Sequence, residues 1–216
     1  MQDSSRPTPT PAFADPTPLG LIALAIGCAA LLPVAFGTAT GRPALETAAV
    51  FCLLFGCFGQ LLSGVVNLAN KNLLGGTVFT AFAFNWALNA WVLWSLSRGV
   101  VPDHQVLLAT EAASLLLFVP LTYAFGFYSK LLFAFLLVID VLYVFKLLRG
   151  YGHVSGLETP IALSTLVLGG IALYIALAML VNPSAGRALF PVPGPLFVAR
   201  PAPEPAPAVS GQSVAA

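Results

Sequence analysis

Apolar positions along this chain fall into six nearly unbroken stretches of roughly twenty residues, each parted from the next by a short polar hinge. They run near residues 19–39, 47–69, 77–97, 105–127, 131–148 and 161–181. At about 1.5 Å rise per residue, a helix of that length crosses about 30 Å of hydrocarbon. The alternation of apolar and polar residues that marks a membrane β-barrel is not seen. In hydrocarbon every backbone N–H and C=O has to be satisfied inside its own segment, so runs this continuous predict helices. The expected fold class is an all-α integral membrane protein with six transmembrane helices in one bundle per protomer.

The hinges are short, the shortest at 128–130, so consecutive helices are expected to be antiparallel neighbours. The longest, 149–160, carries His153, Glu158 and the glycines Gly150, Gly152 and Gly156. Residues 1–14 and 196–216 are dense in Pro, Ser, Thr and Ala without helical periodicity, and they are expected to be disordered tails around a transmembrane domain at 15–195. The first apolar run exceeds a secretory h-region and has no clear cleavage motif after it, so it reads as a retained span.

Hydrophobic residues make up 58% of the chain and charged residues 8%, against about 25% charged in a soluble domain. A water-facing surface cannot be furnished from that, and lipid is the implied solvent. A net charge of +1 gives no electrostatic grip on nucleic acid. Cys28, Cys52 and Cys57 lie inside apolar runs, where a thiol serves as a small hydrophobe, so neither a disulfide framework nor a metal site is indicated. No cofactor motif, Ser/His/Asp set or Gly-x-Ser-x-Gly pattern is present, and His104 and His153 both read as loop residues, which argues against an enzyme. Orientation by positive charge is nearly balanced, with Arg6, Lys71, Lys130, Arg187 and Arg200 towards one side and Arg42, Arg98, Lys146 and Arg149 towards the other.

Polar side chains inside the spans are the informative ones, because facing lipid is costly for them. Gln60, Thr77, Thr80, Asn85, Asn89, Glu111 and Asp140 are the set. Asn85 and Asn89 are one turn apart with Phe82 close to the same sector, an amide stripe beside an aromatic constriction. Such a stripe suits a small solute needing few hydrogen bonds; equally, the amides can join neighbouring helices. Asp140, mid-span, has to be protonated, paired or hydrated, which makes it either a proton-coupling candidate or an interhelical partner. Glu111, nearer a helix end, is a weaker candidate of the same kind, and Lys146 is expected to snorkel to the headgroups. Gly56, Gly59 and Gly64 with Gln60 and Ser63, and Gly169 with Gly170, read chiefly as faces for close helix packing. At the start of the first span, Asp15-Pro16-Thr17-Pro18 places prolines where a helix begins without losing a hydrogen bond, and Asp15 can occupy the free N–H groups there.

Three motifs then resemble one family. Asp15-Pro16-Thr17-Pro18-Leu19-Gly20-Leu21 is similar to the Asn-Pro-Ala-Pro-Leu-Gly-Leu opening of the acetate uptake transporter (succinate-acetate permease) family. Gly56-Cys57-Phe58-Gly59-Gln60 through Gly64, then Asn72, Thr77, Phe79-Thr80-Ala81-Phe82 and Trp86, resemble its second signature, and Gly186-Arg187 with Pro191 its closing one. The likeness covers Asp15 to about Pro195. It implies a six-helix protomer in a hexameric ring, a pore in each protomer, proton-coupled movement of acetate-sized carboxylates, and cytoplasmic termini. It also implies a hydrophobic constriction at Leu24, Phe82 and Ile139, the last placed by spacing alone. Three departures stand out: Asp15 replaces the signature Asn, Phe82 a Tyr, and Asn85 an aromatic residue. Losing the tyrosine hydroxyl removes a donor at the neck while Asn85 adds a polar group one turn away.

The expected function is therefore a channel or proton-coupled transporter for acetate and similar short-chain monocarboxylates, with succinate as a further candidate. Leu24, Phe82 and Ile139 would shed the hydration shell, and Gln60, Thr80, Asn85 and Asn89 would replace its hydrogen bonds. The partners expected are a small carboxylic acid, protons, the lipid bilayer and further copies of the chain. A channel for urea, short amides or ammonia is the alternative, and the apparent absence of a basic pore residue suits it equally. A third reading is a non-transporting assembly or signalling protein that merely uses the fold.

Overall fold

The computed structural model describes residues 12–198. They form six helices, Thr17–Ala35, Arg42–Ala69, Leu73–Ser97, His104–Phe125, Lys130–Gly150 and Glu158–Ala185. The all-α bundle expected from the hydrophobic pattern is the one observed. Residues 1–11 and 199–216, which hold most of the two expected tails, lie outside the described residues.

Helix boundaries follow from local chemistry. Asn72, Asp103 and Ser129 cap the third, fourth and fifth helices, their side-chain oxygens accepting the N–H groups of Gly75 (3.0 Å), Val106 (2.9 Å) and Leu131 (3.1 Å); such caps satisfy donors the first turn leaves unpaired. Pro18 and Pro43 sit in the first turns of the first two helices, where a missing N–H costs nothing. Asp15 accepts the Thr17 N–H at 2.9 Å, so the start of the first helix is occupied by its own carboxylate. Gly186, at φ 62°, ends the sixth helix in the left-handed conformation glycine tolerates.

Five of the helices are long and apolar enough to span a membrane. The third is long enough at 25 residues but too polar to count among the five, because it carries Gly75, Gly76, Asn85 and Asn89. Its polar groups are sheltered by its neighbours. Around the bundle the helices pack in the order third, second, first, sixth, fifth, fourth. The third and fourth, although joined by a short hinge, do not pack closely along their length, which corrects the expectation that every consecutive pair would. Their separation leaves interior space. Side chains close the gap instead: Phe82 stacks on Phe118 at 4.5 Å, and Phe118 on Tyr143 at 5.8 Å. Facing outward, Leu54, Phe58, Leu62 and Val65 of the second helix and Leu116 and Val119 of the fourth are exposed, an apolar surface that only lipid or another membrane helix can cover.

Glycines set the close approaches among the first three helices. A Cβ on Gly20 would strike Phe79 and Ser63, one on Gly56 the Trp86 indole, and one on Gly64 the Thr80 hydroxyl, so these positions serve packing. Residues Cys52–Gly59 of the second helix are wound as a π-helix, a widening the sequence does not announce. It lies where Trp86 presses against Gly56, and such widened turns arise where a side chain intrudes on a helix.

Beyond the sixth helix the chain is pinned rather than loose. Asn182 pairs with Phe190 through both its amide atoms (2.8 and 2.9 Å), Tyr174 donates to the Pro191 carbonyl (2.9 Å), and Ser129 donates to that of Pro193 (2.9 Å). Leu196 and Phe197, read from sequence as the start of the tail, donate their N–H groups to the Gly126 carbonyl at 2.8 and 3.0 Å. The Phe197 ring packs among Tyr123, Phe127 and Phe133. The N-terminal approach is tied as well, Phe13 donating to the Asn70 side chain at 2.9 Å.

The glycine packing makes a paired prediction. Gly56→Val overpacks the Trp86 contact and is expected to cost about 1–3 kcal/mol, read as a lowered melting temperature of the detergent-purified protein. Gly170→Val, with open space at its Cβ position, is expected to leave the melting temperature unchanged.

Candidate functional site

Two chambers lie end to end inside the bundle. The first, about 200 Å³, is lined by Leu21, Leu24, Gln60, Phe79, Phe82 and Leu136 among others. The second, about 290 Å³, is lined by Cys28, Phe82, Asn85, Trp86, Asn89 and Ile139, with Tyr143, Lys146 and Arg149 towards the end where the first helix finishes. Each is many times the space one water molecule needs. Among the described residues Phe82 is the one that borders both. It is 4% exposed, and Leu24 and Ile139 beside the two chambers are each 1% exposed. Of the three residues expected at the constriction, Phe82 borders both chambers, Leu24 lines the first and Ile139 the second.

Phe82 is held there by the Phe118–Tyr143 stack from the fourth and fifth helices. Each aromatic pair contributes about 0.5–1.5 kcal/mol beyond burial. On the first-chamber side Gln60 is fully buried, its amide weakly donating to the Gly20 carbonyl at 3.5 Å and its Oε1 unpartnered among the described residues. On the second-chamber side Asn85 and Asn89 line the wall, and Asn89 donates to the Asn85 backbone carbonyl at 3.0 Å. That bond uses one of the two amide protons of Asn89 and leaves its oxygen free.

Trp86 Nε1 and Tyr143 Oη, both on residues lining the second chamber, are buried without a hydrogen-bond partner among the described residues. Buried polar groups are rarely left so, and a water or a solute is the natural partner. A side pocket of about 270 Å³ adjoins this chamber, sharing Asn85, Asn89, Lys146 and Arg149 with it and adding His104, Thr110, Glu111 and Ser114.

Several expectations are corrected here. Thr80 lines neither chamber; it faces Gly64 of the second helix, with its hydroxyl unpartnered, because two residues along a helix is about 200° round from Phe82. Asp140 lines none of these cavities. It accepts the Thr122 hydroxyl at 2.7 Å across to the fourth helix, one step of about 100° from Ile139. Lys146 does not snorkel: it is ion-paired with Glu111 between the fifth and fourth helices, the two side chains 21% and 16% exposed. The second chamber is also lined by basic residues where none was expected, the largely buried Lys146 and the exposed Arg149. His104, read as a loop residue, opens the fourth helix and lines the side pocket. One signal could have found the missed residues: Ile139, Leu142, Tyr143, Lys146 and Arg149 recur at spacings of three and four, one face of one helix.

Two chambers parted by an apolar neck, inside a bundle with an apolar outer surface, define a multi-pass membrane protein built around a narrow internal space. The chain belongs to the GPR1/FUN34/yaaH family, whose model matches residues 1–193. A solved structure, that of the bacterial acetate channel SatP, shares its fold with a TM-score of 0.74 at 20% sequence identity, over 83% of this chain and 99% of that one. No curated protein matches the chain.

The placement of Asp140 yields a test of its role. Asp140→Asn keeps an acceptor for Thr122 and is expected to preserve both melting temperature and the pH profile of solute uptake. Asp140→Leu strands the Thr122 hydroxyl and is expected to cost about 1–3 kcal/mol of stability. A flattened pH profile in the Asn variant would instead assign Asp140 to proton transfer.

Proposed function

We propose that the chain is a membrane channel or proton-coupled transporter for acetate and similar short-chain monocarboxylates, the solute passing from chamber to chamber through the Leu24, Phe82 and Ile139 neck. The single observation carrying this reading is that Phe82, alone among the described residues, borders both chambers, with the buried Gln60 on one side of it and the half-buried Asn85 and Asn89 on the other. Membership of the GPR1/FUN34/yaaH family and a fold shared with an acetate channel support it. Assembly as a hexamer and termini on the cytoplasmic side belong to the same proposal.

Magnitudes decide the form that crosses. Bringing a bare carboxylate into an apolar neck costs several kcal/mol at least after relaxation. Neutralising an acid of pKa about 4 at pH 7 costs roughly 4 kcal/mol, at 1.36 kcal/mol per pH unit. The two costs are comparable, and protonation becomes cheaper with every unit the pH falls. Uptake that travels with a proton follows, and the proton is carried on the solute itself. Once past the neck, Gln60 on one side or Asn85 and Asn89 on the other replace lost hydration, since amides serve the acid and its anion alike.

Urea or a short amide would also accept an amide-lined, apolar passage, but Lys146 and Arg149 on the second chamber favour a carboxylate. In proteoliposomes, radiolabelled acetate uptake is expected to saturate, to rise as external pH falls and to be inhibited by propionate, while urea uptake stays at the level of empty vesicles. Urea flux without acetate flux would overturn the reading. Phe82→Ala is expected to relax discrimination between acetate and butyrate by roughly tenfold, the order of size selection in an apolar pocket. Unchanged size selectivity would take Phe82 out of the path.

A further inference from the structure

We propose that Lys146, paired with Glu111 at rest, is a carboxylate-exchange site that captures one monocarboxylate in the second chamber and discriminates against dicarboxylates. The inference rests on the transport reading above and adds a site and a selection rule to it.

The pair is unusual in its placement. Lys146 lines both the second chamber and the side pocket, whereas Glu111 lines the side pocket, so of the two it is the cation that borders the chamber. Both side chains are largely removed from solvent. An ammonium in that position cannot be left without a counter-charge, and a solute carboxylate can replace Glu111 only by taking its place as acceptor. Arg149 lines the same two cavities and makes no ion pair among the described residues. It is placed to neutralise the Glu111 carboxylate that exchange releases.

Donors converge on the same chamber. Trp86 Nε1 carries a proton with no acceptor, and Tyr143 Oη is likewise unpartnered; the Lys146 ammonium lies 5.6 Å from the Tyr143 ring centre. Indole and ammonium groups donate only, and an ionised carboxylate accepts only. That complementarity suits a carboxylate better than urea, which needs acceptors as well. Charge then sets the count. The sheltered Lys146 and the exposed Arg149 face one carboxylate, Glu111, so one further negative charge balances the site and a second has no cation left to pair with beside Lys146. His104 is the other titratable side chain on the side pocket, and it stands beyond Glu111 from the chamber's apolar neck.

The test uses the full chain in proteoliposomes and in detergent. Glu111→Gln frees a cation and is expected to make succinate inhibit acetate uptake at a roughly tenfold lower concentration than in the parent. The double variant Lys146→Met with Glu111→Gln removes the pair without stranding either charge. It is expected to raise the acetate concentration for half-maximal uptake about tenfold while keeping the maximal rate within about twofold. In detergent, acetate is expected to raise the melting temperature of the parent and not that of the double variant. A double variant with the parent's half-saturation and melting shift, or Glu111→Gln with the parent's succinate sensitivity, would overturn the proposal. A melting shift that depends on Lys146 in a parent that moves no acetate would uphold the site and overturn the transport reading instead.

Discussion

Within a bilayer no water is available to satisfy a polar group, and the arrangement of this protein follows from that constraint. Backbone groups are closed off inside six helices, and several polar side chains are turned to the interior, where some of them find partners. Ser63 donates to the Pro16 carbonyl at 3.0 Å, Asn67 to the Ser63 carbonyl at 2.9 Å, and Asn72 to the Asn67 side chain at 2.8 Å. This chain of bonds ties the first three helices together at the end where the first helix begins. Close packing there depends on glycines at Gly20 and Gly64, since lipid removes the hydrophobic drive that joins helices in water.

The same constraint explains the interior space. Because the third and fourth helices stand apart, an aromatic stack rather than backbone packing spans the gap. Phe82, Phe118 and Tyr143 need few hydrogen bonds and fill volume, which suits a partition that excludes water. Polar groups then gather on either side of that partition. Gln60 lies on one side, and Asn85, Asn89 and the Glu111–Lys146 pair lie on the other. The chambers are lined mainly by apolar side chains, and these few polar groups are the exceptions.

Much of this was legible in the sequence. Continuous apolar runs fixed the helix count, and amides stranded in such runs pointed to Asn85, Asn89 and Gln60. What remained hidden was azimuth and partnership. Thr80 and Phe82 are two residues apart, yet one packs on Gly64 and the other parts the chambers, and Ile139 and Asp140 are adjacent with the same divergence. Lys146 read as a snorkelling end because Glu111 lies on another helix, and nothing local announces a partner 35 positions away. The π-helical turn at Cys52–Gly59 and the pinned segment through Phe197 also arise from contacts with other elements, which periodicity does not record.

The central claim, that solute occupies both chambers and passes Phe82 between them, is tested most directly by anomalous diffraction from crystals of the full chain soaked in bromoacetate. The account predicts bromine peaks on both sides of the Phe82 ring, one beside Gln60 and one beside Asn85 and Asn89. Peaks confined to subunit contacts or to the lipid-facing surface, with both chambers empty, would contradict it.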